Sequence, residues 1–134
     1  MTVETFQPDG LPKRIVNGHL LYSHVVVVQA EKLIFISGQL ARNKDGQVVA
    51  PGDMRAQIRQ VGENLKLGLA AAGVGLDALV KTTTFVTDIE EFFKHLDVRM
   101  QYFFASPTST TIQISRLSHP DFMIEVEAMA VIPS

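Results

Sequence analysis

The sequence predicts an α+β domain, a sheet with helices packed on one of its faces, and three features carry that prediction. Runs of β-branched residues are interleaved with two stretches of helical periodicity. Across residues 53–72 the apolar positions Met54, Ile58, Val61, Leu65, Leu69 and Ala72 recur at the spacing of one helix face. Across residues 124–130, Ile124, Val126, Ala128 and Ala130 alternate with Glu125, Glu127 and Met129, which is the period of a strand.

Taken in order, the first dozen residues are largely polar and are expected to be loosely held. Residues 25–29 and 33–37 are two β-branched runs joined by Ala30-Glu31-Lys32, and they read as a hairpin buried on both faces. Asn43-Lys44-Asp45-Gly46 reads as a turn, its Asp-Gly pair suiting positive φ. The long helix over 53–72 has Asp53 as its cap and Gly73 as its stop. Gly62 and Gly68 inside it each cost about 1 kcal/mol relative to alanine, so close approach of a neighbouring element is their expected use.

Residues 79–86 (Leu-Val-Lys-Thr-Thr-Thr-Phe-Val) read as a central strand. Asp88 then caps a second helix, with Glu91 three positions on, and that helix is expected to bury Phe92, Leu96, Met100 and Phe103. Strands over 111–117 and 122–132 follow, joined through Ser118-His119-Pro120-Asp121. The alternation in the last of them sets Glu125 and Glu127 on one sheet face, which is not the pattern of a plain core face. With helices on the other side, that face needs cover, and subunit contact can supply it.

At 134 residues the chain is of single-domain size, and it shows no internal repeat, low-complexity tract or linker. Its 46% hydrophobic and 19% charged residues are too apolar for a disordered chain. The net charge of -2 lacks the basic excess that neutralises phosphates, so nucleic acid is not an expected partner. The absence of cysteine excludes disulfides, thiolate metal sites and a cysteine nucleophile. His19, His24, His95 and His119 have no spacing that would gather metal ligands. No charged leader opens the chain and no window approaches a membrane span, so a soluble cytoplasmic protein with no membrane partner is expected.

Four stretches, in this order and at these separations, resemble the RidA/YjgF family: Phe35-Ile36-Ser37-Gly38-Gln39, Gln57-Ile58-Arg59-Gln60-Val61-Gly62-Glu63-Asn64-Leu65, Val80-Lys81-Thr82-Thr83-Thr84-Phe85-Val86-Thr87-Asp88, and Ile124-Glu125-Val126-Glu127-Ala128-Met129-Ala130. The resemblance implies a chorismate-mutase-like fold assembled as a homotrimer, with ligand clefts where subunits meet. It also implies hydrolysis of reactive imines or enamines to a carbonyl compound and ammonia, without cofactor or metal.

Carried over residue by residue, the resemblance makes Tyr22 a cleft tyrosine and Ser37-Gly38 the backbone lining the pocket. Thr111 becomes a residue whose main chain helps hold a water, and Glu127 the carboxylate that orients it. The chain departs from the family pattern Pro-Ala-Arg-Ser, in which the arginine clamps a substrate carboxylate. Here Pro107-Thr108-Ser109-Thr110 places Ser109 at the arginine's position. Asp97 aligns with a cleft asparagine and Met100 with a tyrosine, and the link from the second helix to the next strand is shorter than in many relatives.

Loss of a charged hydrogen bond worth about 1.5 to 3 kcal/mol is expected to weaken small imino acids such as 2-iminopropanoate at least about tenfold. Positioning would then rest on Ser109, Thr110, Tyr22 and shape. Arg14, Arg42, Arg99 and Arg116 read as solvated or paired, although one reaching the cleft from a neighbouring subunit would restore the charge.

Removing a water's proton needs a base beside it, and a partly buried glutamate with a raised pKa can be that base. Glu127 is the candidate, against the alternative of an exposed carboxylate paired with a neighbour's lysine. Glu125 reads as structural. Ser109 and Thr110 are cleft donors or turn caps, and Tyr22 stacks on a ligand or fills a subunit seam. Ser23-His24 is not read as a nucleophile pair, since adjacent strand residues point to opposite faces.

Two functions therefore compete. One is a divergent imine or enamine deaminase with a Glu127-oriented water; the other is a non-catalytic trimer that binds a small metabolite. The endoribonuclease or translation-inhibitor label attached to the family is disfavoured by the acidic balance and the lack of a placed histidine pair.

Overall fold

The computed structural model describes residues 3–133. From the amino end, the chain forms β1 (Val3–Phe6), the short pair β2 (Ile15–Val16) and β3 (His19–Leu20), β4 (Val25–Val28) and β5 (Ala30–Leu40). Next come α1 (Met54–Ala71), a 3-10 turn at Leu76–Ala78, β6 (Leu79–Val86), α2 (Ile89–Phe93), α3 (Leu96–Tyr102), β7 (Thr108–Gln113) and β8 (Ile124–Pro133). The main sheet has the order β5-β8-β6-β7. Within it β8 runs antiparallel to both neighbours while β7 is parallel to β6, a pairing that requires a crossover, here α2 and α3.

The expected hairpin over 25–37 does not form. β4 pairs with β1 instead, and β5 carries on from Ala30 to pair with β8. Tight hairpin turns favour residues that accept positive φ, and Ala30-Glu31-Lys32 contains no Gly, Asn or Asp. Nor is this region buried on both faces, for Val25, Val27, Leu33 and Phe35 are all exposed. A tight turn does occur at Asn17-Gly18 between β2 and β3, where φ is 51° and 78°.

α1 follows its sequence signals. The Asp53 carboxylate accepts from the Ala56 amide at 3.0 Å, and Gly73 takes φ 79° just past the end. Its buried stripe includes Gln57, which is fully enclosed. That amide donates to the carbonyls of Val49, Ala50 and Asp121 and accepts from the Met123 amide at 2.8 Å, so it ties the approach to β8 onto the helix. The two helix glycines differ: a side chain at Gly62 would meet the Tyr102 ring, whereas at Gly68 it would make only ordinary contact with Ile36.

The second helical segment is broken rather than continuous. The amides of Lys94 and His95 bond back three residues, to Glu91 and Phe92, and a new helix starts at Leu96. In one straight helix Phe92 and Val98 would lie on different faces, because six residues turn the helix well short of two full turns. The break lets both enter the core, at 1% and 0% exposure, with Leu96 only half-buried. β7 begins and ends earlier than its composition suggests, since it is an edge strand paired only to β6, which stops at Val86. β8 starts at Ile124, the register partner of Val86.

The helices cover one face of this sheet, where Thr82, Thr84, Val86, Ile124, Val126 and Ala128 are buried. On the opposite face none of Lys81, Thr83, Phe85, Glu125, Glu127 and Met129 is buried. Among the described residues no helix is long and apolar enough to cross a membrane.

Candidate functional site

A register slip in the sheet builds the first part of the site. Ile36 lies opposite Ala128 and Gln39 opposite Val126, so Ser37 and Gly38 together face the single residue Glu127. Such a bulge releases the local ladder bonds and re-aims the strand. Across its other edge Glu127 is the register partner of Thr83. Phe35, Ser37, Lys81, Thr83, Glu127 and Met129 line a hollow of about 400 Å³ there. Gly38 has a separate reason to be glycine: a Cβ at that position would run into the Glu125 carboxylate.

Lys81 also lines a second hollow, of about 300 Å³, with Tyr22, Ser23, His24, Thr82, Thr108, Ser109 and Thr110. The structure thus sets Glu127 and Ser37 on one side of Lys81, and Tyr22, Ser109 and Thr110 on the other. Tyr22 stands edge-on to His24 with ring centroids 5.3 Å apart. The His24 ring nitrogen Nε2 is engaged with the Pro12 carbonyl at 2.6 Å, while Ser23 is turned inward at 2% exposure. Ser23 and His24 thus form no nucleophile pair.

Beneath Ser109 lies a residue that the sequence reading assigned to solvent or to an ion pair. Arg99 of α3 is 5% exposed, and its Nη2 donates to Ser109 Oγ at 3.2 Å. Its Nη1 donates to the Leu21 carbonyl at 3.0 Å and meets Met100 Sδ at 3.2 Å. The guanidinium carbon sits 5.4 Å from the centre of the Phe103 ring. No ion pair links Arg99 to a carboxylate among the described residues. Burial alone pulls its pKa down to about 10, so it stays charged at neutral pH. A cation therefore does stand at the Ser109 position, supplied by the same chain.

Asp97 is not brought to this place. Two residues along a helix correspond to about half a turn, so Arg99 pointing inward turns Asp97 outward. There Asp97 accepts from Arg55 at 2.7 Å and 3.1 Å and lines a different hollow with His19, Met100 and Gln101. The pairing holds the Asp97 carboxyl below the usual aspartate range. Thr111 is half-buried opposite Thr84 and lines neither hollow beside Lys81. Among the described residues no three His, Asp or Glu side chains gather as a metal site.

Sequence reasoning passed over Lys81 and read Arg99 as solvated, paired or reaching a neighbour's cleft, yet both carried a signal of their place. Arg99 stands three residues after Leu96 and four before Phe103, on the stripe expected to be buried. Lys81 alternates with Thr83 on the strand face that Glu127 shares.

Comparison with known proteins finds relatives over most of the chain. The family described as Endoribonuclease L-PSP matches residues 16–132. Protein DfrA of Myxococcus xanthus is 38% identical over 132 residues, covering 98% of this chain and 97% of the relative. The 2-iminobutanoate/2-iminopropanoate deaminase of Escherichia coli is 36% identical over 114 residues, covering 81% of this chain and 86% of the relative. Among solved structures, the Rid-family protein YyfB of Yersinia pestis superposes with a TM-score of 0.83 at 27% identity, covering 98% of this chain and 100% of that one. The YjgF gene product of E. coli gives 0.66 at 36% identity, covering 78% of this chain and 86% of that one.

Proposed function

The chain belongs to the Endoribonuclease L-PSP family, the RidA/YjgF proteins, and on that premise we propose that it hydrolyses a reactive imine or enamine to a carbonyl compound and ammonia. The observation that carries the reading is the bulge of Ser37-Gly38 against Glu127. It leaves a carboxylate and a hydroxyl around one hollow, beside a strand whose ladder is interrupted. A water held there by Glu127 would add to the C=N carbon while the carboxylate takes its proton. The carboxylate returns that proton to nitrogen, and collapse of the resulting carbinolamine, with the hydroxyl proton also passing to nitrogen, expels ammonia and leaves the C=O bond.

In this proposal Tyr22, Ser109 and Thr110 hold the substrate on the far side of Lys81. A homotrimer closes the site, since the open sheet face carries Glu127 unburied and Phe35 is 70% exposed. Closure would remove water from around Glu127 and so favour its proton-accepting role.

The test generates imines from a panel of amino acids with an amino-acid oxidase and follows their trapping by semicarbazide. Wild-type protein is expected to suppress semicarbazone formation, and Glu127→Gln to lose roughly 100-fold or more of that activity. No suppression with any imine, or full activity in Glu127→Gln, would overturn the proposal. A metabolite that raises the melting temperature and is recovered unchanged would then identify a binding trimer instead.

A further inference from the structure

Hydrolysis of an imine brings two protons to nitrogen, and the Glu127 carboxylate accounts for one of them, taken from water. The carbinolamine hydroxyl must then lose its proton as C=O forms, while the same nitrogen gains one so that it can leave as ammonia. A group that handles this second transfer has to stand beside Glu127, face the substrate, and hold its proton about as firmly as an amine does.

Lys81 is placed for that step. Among the described residues it alone lines both hollows, with Glu127 and Ser37 in one and Tyr22, Ser109 and Thr110 in the other. A molecule held at Tyr22 and Ser109 and attacked by a water at Glu127 therefore has its reacting bond over Lys81. Register sets the reach. Lys81 lies opposite Met129 and Thr83 opposite Glu127, so Lys81 and Glu127 are diagonal neighbours on one sheet face. Such neighbours stand about 7 to 8 Å apart, a gap that a long side chain can span with a small reacting group between the two heads. Among the described residues no ion pair ties the Lys81 ammonium to a carboxylate, and the residue is exposed on the face that a subunit contact would cover. Its neighbours on that face of β6 and β8 are Thr83, Phe85, Glu125, Glu127 and Met129, none of them a cation.

We propose that Lys81 is a second catalytic residue, the proton donor and acceptor for breakdown of the carbinolamine. Its ammonium gives a proton to the carbinolamine nitrogen, and the C–N electron pair leaves with that nitrogen as ammonia. The electrons of the O–H bond form the second C–O bond, and the hydroxyl proton passes to the Lys81 amine. Lys81 thus ends the cycle protonated, as it began. An alkylammonium suits this transfer because a carbinolamine nitrogen is itself an amine, so the proton moves between groups of similar affinity. The role rests on the hydrolase reading and adds to it the group that releases ammonia.

The test separates kcat from KM in the full-length protein, using the oxidase-generated imine that wild type hydrolyses fastest and semicarbazide as the competitor. Lys81→Met is expected to lose about 100-fold or more in kcat, with KM changed by less than about threefold. Lys81→Arg should lose about as much, because a guanidinium keeps the charge and the length but does not give up its proton near neutral pH. Adding Glu127→Gln to Lys81→Met should cost little beyond the worse single variant, as expected of groups that act as a unit. A kcat near that of wild type in either Lys81 variant, or a loss confined to KM, would overturn the role of Lys81 and leave the deaminase reading standing on Glu127→Gln. A wild type that hydrolyses no imine would remove both. If Lys81→Met fails to fold, Lys81→Arg decides alone, since it differs from wild type chiefly in its hold on the proton.

Discussion

Arg99 and Ser109 meet at 3.2 Å, the guanidinium of a short helix donating to the hydroxyl of the neighbouring edge strand. The contact changes what the obvious family-restoring substitution should do. Ser109→Arg would set a second guanidinium against one that is already buried and, among the described residues, has no carboxylate to share. Like charges out of water are costly, so a loss of about 3 kcal/mol is expected from urea unfolding. Adding Arg99→Met to the same chain should recover part of it, a coupling of about 1 to 3 kcal/mol in the double-mutant cycle. Additive effects would mean that the two positions do not share a field.

The two glycines of α1 should respond in opposite directions to the same change. Gly62 lies under the Tyr102 ring with no room for a methyl group, so Gly62→Ala must push α1 and α3 apart. Overpacking of this kind costs about 1 to 3 kcal/mol. At Gly68 the nearest atom to an added Cβ is Ile36 Cγ2 at 3.6 Å, an ordinary contact. Gly68→Ala should therefore stabilise by about 0.5 to 1 kcal/mol through lower unfolded-state entropy. Denaturant midpoints of the two variants on either side of wild type are the expected result.

Much of the fold was legible because its signals are local. Asp53, Gly73 and Asp88 act on backbone groups a few residues away, and the alternation of β8 records burial directly. The hairpin over 25–37 failed because composition marks a strand but not its partner, and β1 lies far back in the chain. The candidate site divides in the same way. The resemblance pointed to Glu127, Ser37 and Gly38, which the bulge does bring together, and to Tyr22, Ser109 and Thr110, which share the second hollow. Asp97, which the resemblance also named, lies apart from both hollows, paired with Arg55 on the outer side of α3. Arg99 was missed for a chemical reason: apolar periodicity does not count a charged residue, even when its stem and head complete the buried stripe.

The exposed pair between Arg55 of α1 and Asp97 of α3 gives a pH prediction of known sign. Asp97 accepts two bonds from Arg55, at 2.7 Å and 3.1 Å, and the pairing lowers its folded-state pKa below the ordinary aspartate value of about 4. A carboxyl that is more acidic in the folded chain favours folding at pH values above the ordinary one, and that contribution disappears as pH falls through the folded value. Asp97→Asn should accordingly melt slightly below wild type at pH 7. The gap is expected to close as the pH is lowered from about 5 toward 2, and to shrink in high salt, because the two side chains are 50% and 41% exposed. Arg55→Gln should show the same gap, and the double variant should melt no lower than either single one. A difference that persists at acid pH would show that Asp97 acts through its contacts with α1 and not through its charge.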